Sequence, residues 1–181
     1  MSFEDVAARR RSVREFSDER LNENELLKIL FAAQGITDPG SGHRSVPSAG
    51  ATYPLEVYIV SADGVLHYDP SSNSMKKVVQ GDLRADLAEA ALGQSVVRSA
   101  PASVVITGFA IRTTQRYGER GHRYVYMEAG HAAQNVLLQA VSLGLAGVPI
   151  GAFDDREVES ILGCGPGEKA LYILPVGHPV K

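Results

Sequence analysis

The amino-acid sequence predicts an α+β fold, and three observations carry that reading. Two β-prone runs, residues 55–61 (LEVYIVS) and 65–68 (VLHY), are separated only by Ala62-Asp63-Gly64, the spacing of a hairpin. A long apolar stretch from about Arg120 to Gly144 reads as a helix buried at the centre of the molecule. Around these segments, strands and helices are interspersed without the regular alternation of a doubly wound sheet.

Taken in order, Leu21-Asn22-Glu23-Asn24-Glu25 opens a helix whose apolar face is Leu26, Leu27, Ile29, Leu30 and Ala33. Gln34-Gly35 closes it, with the glycine expected in a left-handed cap. Residues 37–50 (TDPGSGHRSVPSAG) read as one long Gly/Ser/Pro loop, a length often reserved for binding. The hairpin follows, then a helix over Leu83–Leu92 and a strand within Ala102–Ile111. In the central helix, Glu128, His131, Asn135, Gln139 and Ser142 fall at spacings that place them on one narrow face. Ala129, Gly130, Ala132 and Ala133 leave room for another backbone, which suits a protein–protein interface; a solvated stripe is the alternative. Residues 148–152 predict a short strand, Asp154 caps a helix running to about Leu162, and residues 170–177 predict the last strand.

A chain of 181 residues is expected to form one domain over 1–181, at roughly 100–200 residues per domain. Its single cysteine, Cys164, permits no intramolecular disulfide and no Cys-based zinc site. A net charge of −3 carries no basic excess for nucleic acid, and no apolar run reaches a membrane span. The acidic start, Met1-Ser2-Phe3-Glu4-Asp5, lacks the order of a signal peptide. A cytoplasmic globular protein is expected, with no nucleic-acid or membrane partner.

One cluster stands out chemically. Arg9-Arg10-Arg11-Ser12-Val13-Arg14 sets several guanidinium groups and a hydroxyl side by side. Arg10, Ser12 and Arg14 share a side if the chain is extended, and Arg10 and Arg14 share a face if it is helical. Either arrangement suits a phosphate; the alternative is a solvated patch paired to Glu4, Asp5 or Glu15. The phosphate-loop lysine motif and the dinucleotide fingerprint are both absent. The five histidines (His43, His67, His122, His131 and His178) show no metal-ligand spacing, so no metal is expected. No nucleophile elbow occurs, and Cys164 has no evident partner. This pattern suits a protein whose chemistry comes from a bound phosphorylated cofactor, which the residues alone do not name.

Four segments give the cofactor a name. RRSVREF (10–16), PSAGATYPLEVYIV (47–60), YGERGHRYVYMEAGHAAQNVLLQAVSLGL (117–145) and PIGAFDD with LPVGHP (149–155 and 174–179) resemble the nitroreductase family of FMN-dependent oxidoreductases. The likeness is to its SagB-type, thiazole/oxazole-dehydrogenase-like branch. It implies a central, mostly antiparallel sheet flanked by helices. It also implies a homodimer with a long interface helix, and FMN in clefts between the subunits. Carried onto this chain, it assigns Arg10, Arg11, Ser12 and Arg14 to the phosphate and ribityl chain. Pro47, Ser48 and Ala49 would reach the flavin of the other subunit. Ile150 and Gly151 would lie beside the ring, where a backbone N–H can meet flavin N5, and Gln94 would lie near the flavin.

The chain also departs from its relatives. Azoline-oxidising members carry a Lys-Tyr pair where this sequence has Arg116-Tyr117, the two residues expected at the catalytic position. Arginine does not lose its proton near neutral pH, so it cannot serve as a base. Many relatives also add basic residues beyond the last strand, whereas only Lys181 stands there. The expected activity is hydride transfer from NADH or NADPH through FMN to a small organic acceptor. The alternatives are peptide-azoline oxidation and a flavin-binding redox module without turnover.

Overall fold

In the computed structural model, which describes residues 1–180, a six-stranded sheet carries helices on both faces. The helices are α1 (Phe3–Arg9), α2 (Glu23–Gln34), α3 (Arg84–Ala90), α4 (Ser95–Ser99), α5 (Ala110–Tyr117), α6 (Arg120–Ser142) and α7 (Asp155–Leu162). The strands are β1 (Ile36–Asp38), β2 (His43–Arg44), β3 (Leu55–Ser61), β4 (Gly64–Asp69), β5 (Ser74–Val79), β6 (Ala102–Phe109), β7 (Ala146–Gly147) and β8 (Glu168–Gly177). The main sheet runs β5-β4-β3-β6-β8-β7 with every pairing antiparallel, while β1 and β2 form a separate two-stranded ribbon. The α+β expectation is borne out.

Alternation along the strands divides the core into two layers. Leu55, Val57 and Ile59 of β3 pack with Val104, Ile106, Leu174 and the buried sides of α2 and α6. Tyr58, Val60, Val105 and Ile173 face the other way, onto α3, α4 and α7. Because both faces are covered, these strands read as continuous apolar runs. Each fully buried side chain of this kind contributes about 1.5–3 kcal/mol.

Several expectations need correction. Gly35 ends α2 in an extended conformation (φ −61°, ψ 143°), not a left-handed one. Its glycine identity is steric, because a Cβ there would lie 2.2 Å from the Phe31 ring. The loop at 37–50 is not structureless: it holds the β1–β2 ribbon and enters a 3₁₀ turn at Ala49–Ala51. The strand predicted at 148–152 reduces to β7 and a single bridge from Ile150 to Ile173. The central helix is not buried all round. Ala129, Ala132 and Ala133 pack inside the chain, while Tyr126, Met127 and Gly130 face outward. Of its polar stripe, Glu128 is buried, Asn135 is half-buried and His131 is exposed, so the five residues do not share one environment. Lys181 lies outside the described residues.

Candidate functional site

The residues expected at the flavin fall into two groups in the chain. The first surrounds the start of the molecule. The chain leaves α1 at Arg10, Ser12 forms an isolated parallel bridge with Gly147, and the Val13 N–H donates to the Gly147 carbonyl at 3.2 Å. Val13 anchors the segment by packing into the core. The period of an extended chain then puts Arg10, Ser12 and Arg14 on the opposite side. Neither Arg10 nor Arg14 enters an ion pair among the described residues, so the pairing to Glu4, Asp5 or Glu15 does not form. Arg11 is different: its Nη1 turns back onto the carbonyls of Ala8 and Arg10, both at 2.8 Å. It caps the end of α1 instead of joining the other two.

Three residues beyond Gly147 the chain reaches Ile150 and Gly151. The Ile150 N–H donates to Ile173 at 2.7 Å and is not available to a ligand. The Gly151 N–H has no protein acceptor among the described residues, and Gly151 is exposed. Gln94 joins the same group, its Nε2 donating to Ala91 at 2.8 Å and to Ala152 at 3.0 Å. It therefore ties the turn between α3 and α4 to the 150–152 segment.

The second group surrounds residues 47–53. Pro47, Ser48 and Ala49 line a cleft of about 250 Å³ with Tyr124, Met127, Glu128 and His131 of α6. Helix α5 clamps the far side of this loop. Arg116 Nη1 donates to the Gly50 carbonyl at 3.3 Å, Arg112 Nη1 to the Tyr53 carbonyl at 3.1 Å, and the Thr52 and Thr113 hydroxyls meet at 2.8 Å. The clamp holds backbone that would otherwise relax, since Ala51 and Tyr53 both have positive φ (53° and 43°). Gly50 is also left-handed, and a Cβ there would fall 2.6 Å from the Tyr117 hydroxyl. Tyr117 packs edge-on against Tyr124, with ring centroids 5.2 Å apart. The structure thus brings Arg116 and Tyr117 to Gly50, the residue that follows the 47–49 segment. No hydrogen bond or ion pair among the described residues joins this group to the first.

One functional group escaped the sequence reading. Glu128 is 3% exposed, and its Oε1 has no hydrogen-bond partner. Gln34, equally buried, accepts from Arg44 Nη1 at 2.7 Å and leaves its own Nε2 unpaired. Burial pushes the Glu128 carboxyl up to about 7, against the opposing pull of Ser48, Arg44 and Gln34. The sequence placed Glu128 on a polar stripe; only the packing of α2 and the 47–49 loop over it reveals an acid near neutrality. By contrast, Cys164 is half-buried and its thiol is pushed up to about 12 by burial and by Glu168 and Glu159, which makes it a poor nucleophile. No metal-binding cluster occurs among the described residues. No helix among them is long and apolar enough to cross a membrane.

Comparison with known proteins shows the family of the chain. The model of the nitroreductase family matches residues 7–178. A protein of Methanocaldococcus jannaschii named as a candidate nitroreductase is 46% identical, covering 100% of this chain and 93% of that protein. The microcin B17-processing protein McbC of Escherichia coli is 28% identical over 70% of this chain and 50% of its own length. Among solved structures, a candidate nitroreductase from Ralstonia eutropha superimposes with a TM-score of 0.91 at 25% identity, covering 100% of this chain and 84% of the other.

Proposed function

The chain belongs to the nitroreductase family and is an oxidoreductase, and from that premise we propose that it binds FMN and passes a hydride from NADH or NADPH to a small organic acceptor. The observation that carries this reading is the first group of residues. Arg10 and Arg14, which have no ion-pair partner among the described residues, and the Ser12 hydroxyl alternate with Val13 along a segment tethered to Gly147, four residues before Gly151, whose N–H has no protein acceptor among those residues. These residues fit FMN. Arg10 and Arg14 would hold the phosphate through charge-assisted hydrogen bonds, Ser12 would add a hydroxyl contact, and the Gly151 N–H would donate to the ring. FMN, when bound, supplies the acceptance and release of hydride at its N5.

The remaining contributions come from the chain. Gln94 fixes the 150–152 segment, so the Gly151 donor is held in place before any ligand arrives. Arg116 pins the Gly50 carbonyl, which makes it a loop-holding residue, and a guanidinium is unsuited to act as a base. Tyr117 packs beside it. We further propose a homodimer in which the 47–49 loop of one chain completes the cleft of the other. The outward face of α6 supports this, because Tyr126 is 66% and Met127 53% exposed around the open position of Gly130. A single half-buried cysteine is in keeping with the cytoplasm, where we place the protein.

The likeness to McbC supports a second reading, oxidation of peptide azolines. Arg116 weighs against it, since the position lacks a group that can lose a proton. The test is anaerobic titration of the FMN-loaded protein. Bleaching of the flavin absorbance by NADH or NADPH is expected, and no bleaching with either donor removes the reductase reading.

A further inference from the structure

We propose that Glu56 is a positioning residue for the 47–49 cleft: its carboxylate fixes the Arg112 guanidinium against the Tyr53 carbonyl and so holds the loop that lines the cleft in its binding shape. The proposal rests on the flavin reading above, in which this loop meets the cofactor, and adds to it a residue that acts at one remove.

Glu56 is out of place in its strand. The rest of β3 from Leu55 to Val60 is apolar or aromatic and packs into the core on both faces, so a carboxylate there is costly unless it is paired. It is paired twice. Oε1 meets Arg112 Nη2 at 2.7 Å, and Oε2 meets His67 Nε2 at 2.9 Å, with 17% of the side chain exposed. An ionised carboxylate only accepts, so the His67 Nε2 carries the donated hydrogen. Burial acts to raise the Glu56 carboxyl, but its contacts with His67 and Arg112 outweigh that and hold it below its ordinary 4.5. A well-packed apolar residue would serve the sheet as well; what the carboxylate adds is direction.

That direction is toward the loop. Nη2 of Arg112 is held by Glu56, and the guanidinium lies over the Phe109 ring with Cζ 4.6 Å from its centroid. Nη1 is left to donate to the Tyr53 carbonyl at 3.1 Å. Tyr53 in turn donates its N–H to Ser48 Oγ at 2.9 Å, and Ser48 is a wall of the cleft. Each step from Glu56 to the cleft is thus a polar contact of 3.1 Å or less. The segment enclosed by these contacts needs such a hold. Ala51 and Tyr53 sit at positive φ, a strained state that persists only where the surroundings impose it. An arginine without an anchor would spread over many rotamers, so the Tyr53 contact depends on the carboxylate that restrains it.

Two measurements on the full chain test this. Without FMN, amide hydrogen exchange across residues 48–53 should be faster in Glu56→Gln than in the wild type, relative to exchange in β8. With FMN, titration by fluorescence quenching should show Glu56→Gln binding about fivefold more weakly, because a neutral acceptor restrains a guanidinium less than a charged one. Arg112→Lys keeps the charge that pairs with Glu56 but lacks the fork that also reaches Tyr53. It should lose the same affinity, whether or not Glu56→Gln folds. Ser48→Ala opens the link from its other end, so adding Glu56→Gln to it should cost no further affinity. A Glu56 that only supported the sheet would lose the same factor in both backgrounds. Additive losses, or exchange at 48–53 that matches the wild type, would overturn the role of Glu56 and leave the flavin reading standing. A wild-type protein that binds no FMN would overturn the flavin reading, and the exchange measurement would still decide whether Glu56 holds the loop.

Discussion

Replacing Glu128 with glutamine should change how the stability of the protein depends on pH. The carboxyl is carried from its ordinary 4.5 to about 7 by burial beneath the 47–49 loop. The folded state therefore binds this proton more tightly than the unfolded chain does. The stability it contributes is fully present below pH 4.5 and is lost as pH rises through about 7. Each pH unit of displacement corresponds to about 1.4 kcal/mol, so the wild type should lose on the order of 3 kcal/mol from this one group between pH 4.5 and pH 8. That is a large fraction of the ~5–15 kcal/mol by which domains are stable.

Glutamine has nearly the same shape and never ionises. Glu128→Gln should therefore match the wild type within about 1 kcal/mol at pH 5, where both side chains are neutral. It should exceed the wild type by up to about 3 kcal/mol at pH 8.5. Urea denaturation at several pH values, at one protein concentration, measures this. Other titrating groups, such as the exposed Asp69 whose carboxyl is held near 2 by Ser71 and Ser72, contribute equally to both proteins and cancel in the difference. If the two stability profiles run parallel from pH 5 to 8.5, Glu128 does not hold its proton and the reasoning fails.

Four further outcomes are expected. Arg10→Ala and Arg14→Ala should each weaken FMN binding by about 1.5–3 kcal/mol, roughly ten- to a hundredfold, whereas Arg11→Ala should have a smaller effect because Arg11 is spent on the carbonyls of Ala8 and Arg10; equal losses in isothermal titration would refute the distinction. Gly130→Leu should leave the isolated chain folded, since a Cβ at Gly130 meets nothing within 4 Å, yet should weaken self-association in sedimentation; an unchanged dimer would place the interface elsewhere. Cys164→Ala should not alter turnover, because the thiol remains protonated, and a large loss of rate would contradict that. Tyr117→Phe should change the rate only modestly if the ring acts by packing against Tyr124; a loss of about a hundredfold or more would make its hydroxyl a general acid.

How much of this molecule could be read in its sequence follows from how local each cause is. Helix α2 announces itself through Asn22 and Glu25, which form a reciprocal cap at its start, and α7 through Asp154, whose side chain accepts from the Glu157 N–H. Strands β3 and β6 are legible because two covered faces produce unbroken apolar runs. Strand β5 has no counterpart in the sequence expectations. It lies at the edge of the sheet, and Ser74–Val79 carries two lysines and a mostly exposed surface. Its place is set by pairing with β4, from Val65↔Val79 to Asp69↔Ser74, which no local pattern encodes. The reason for Gly35 is hidden for a similar cause, since the Phe31 ring that excludes a side chain there is a feature of packing.

The candidate site divides along the same line. The arginine cluster was legible because its residues are adjacent and the extended period separates their sides. Which arginine is spent on the backbone was not, because that depends on where α1 ends. The 47–49 loop drew attention through its composition, but its backbone is held by Arg112, Arg116 and Thr113, some sixty residues further along the chain. Glu128 is the extreme case. In the sequence it is one polar residue in a helical stripe, indistinguishable from Gln139. Its chemistry arises only when Gln34, Arg44 and Ser48, drawn from three other segments, close over it and offer too little to compensate a charge. A residue type can be read from the chain, but the energy of its ionisation belongs to its surroundings. The buried acid is therefore the feature of this site that only the folded structure could supply.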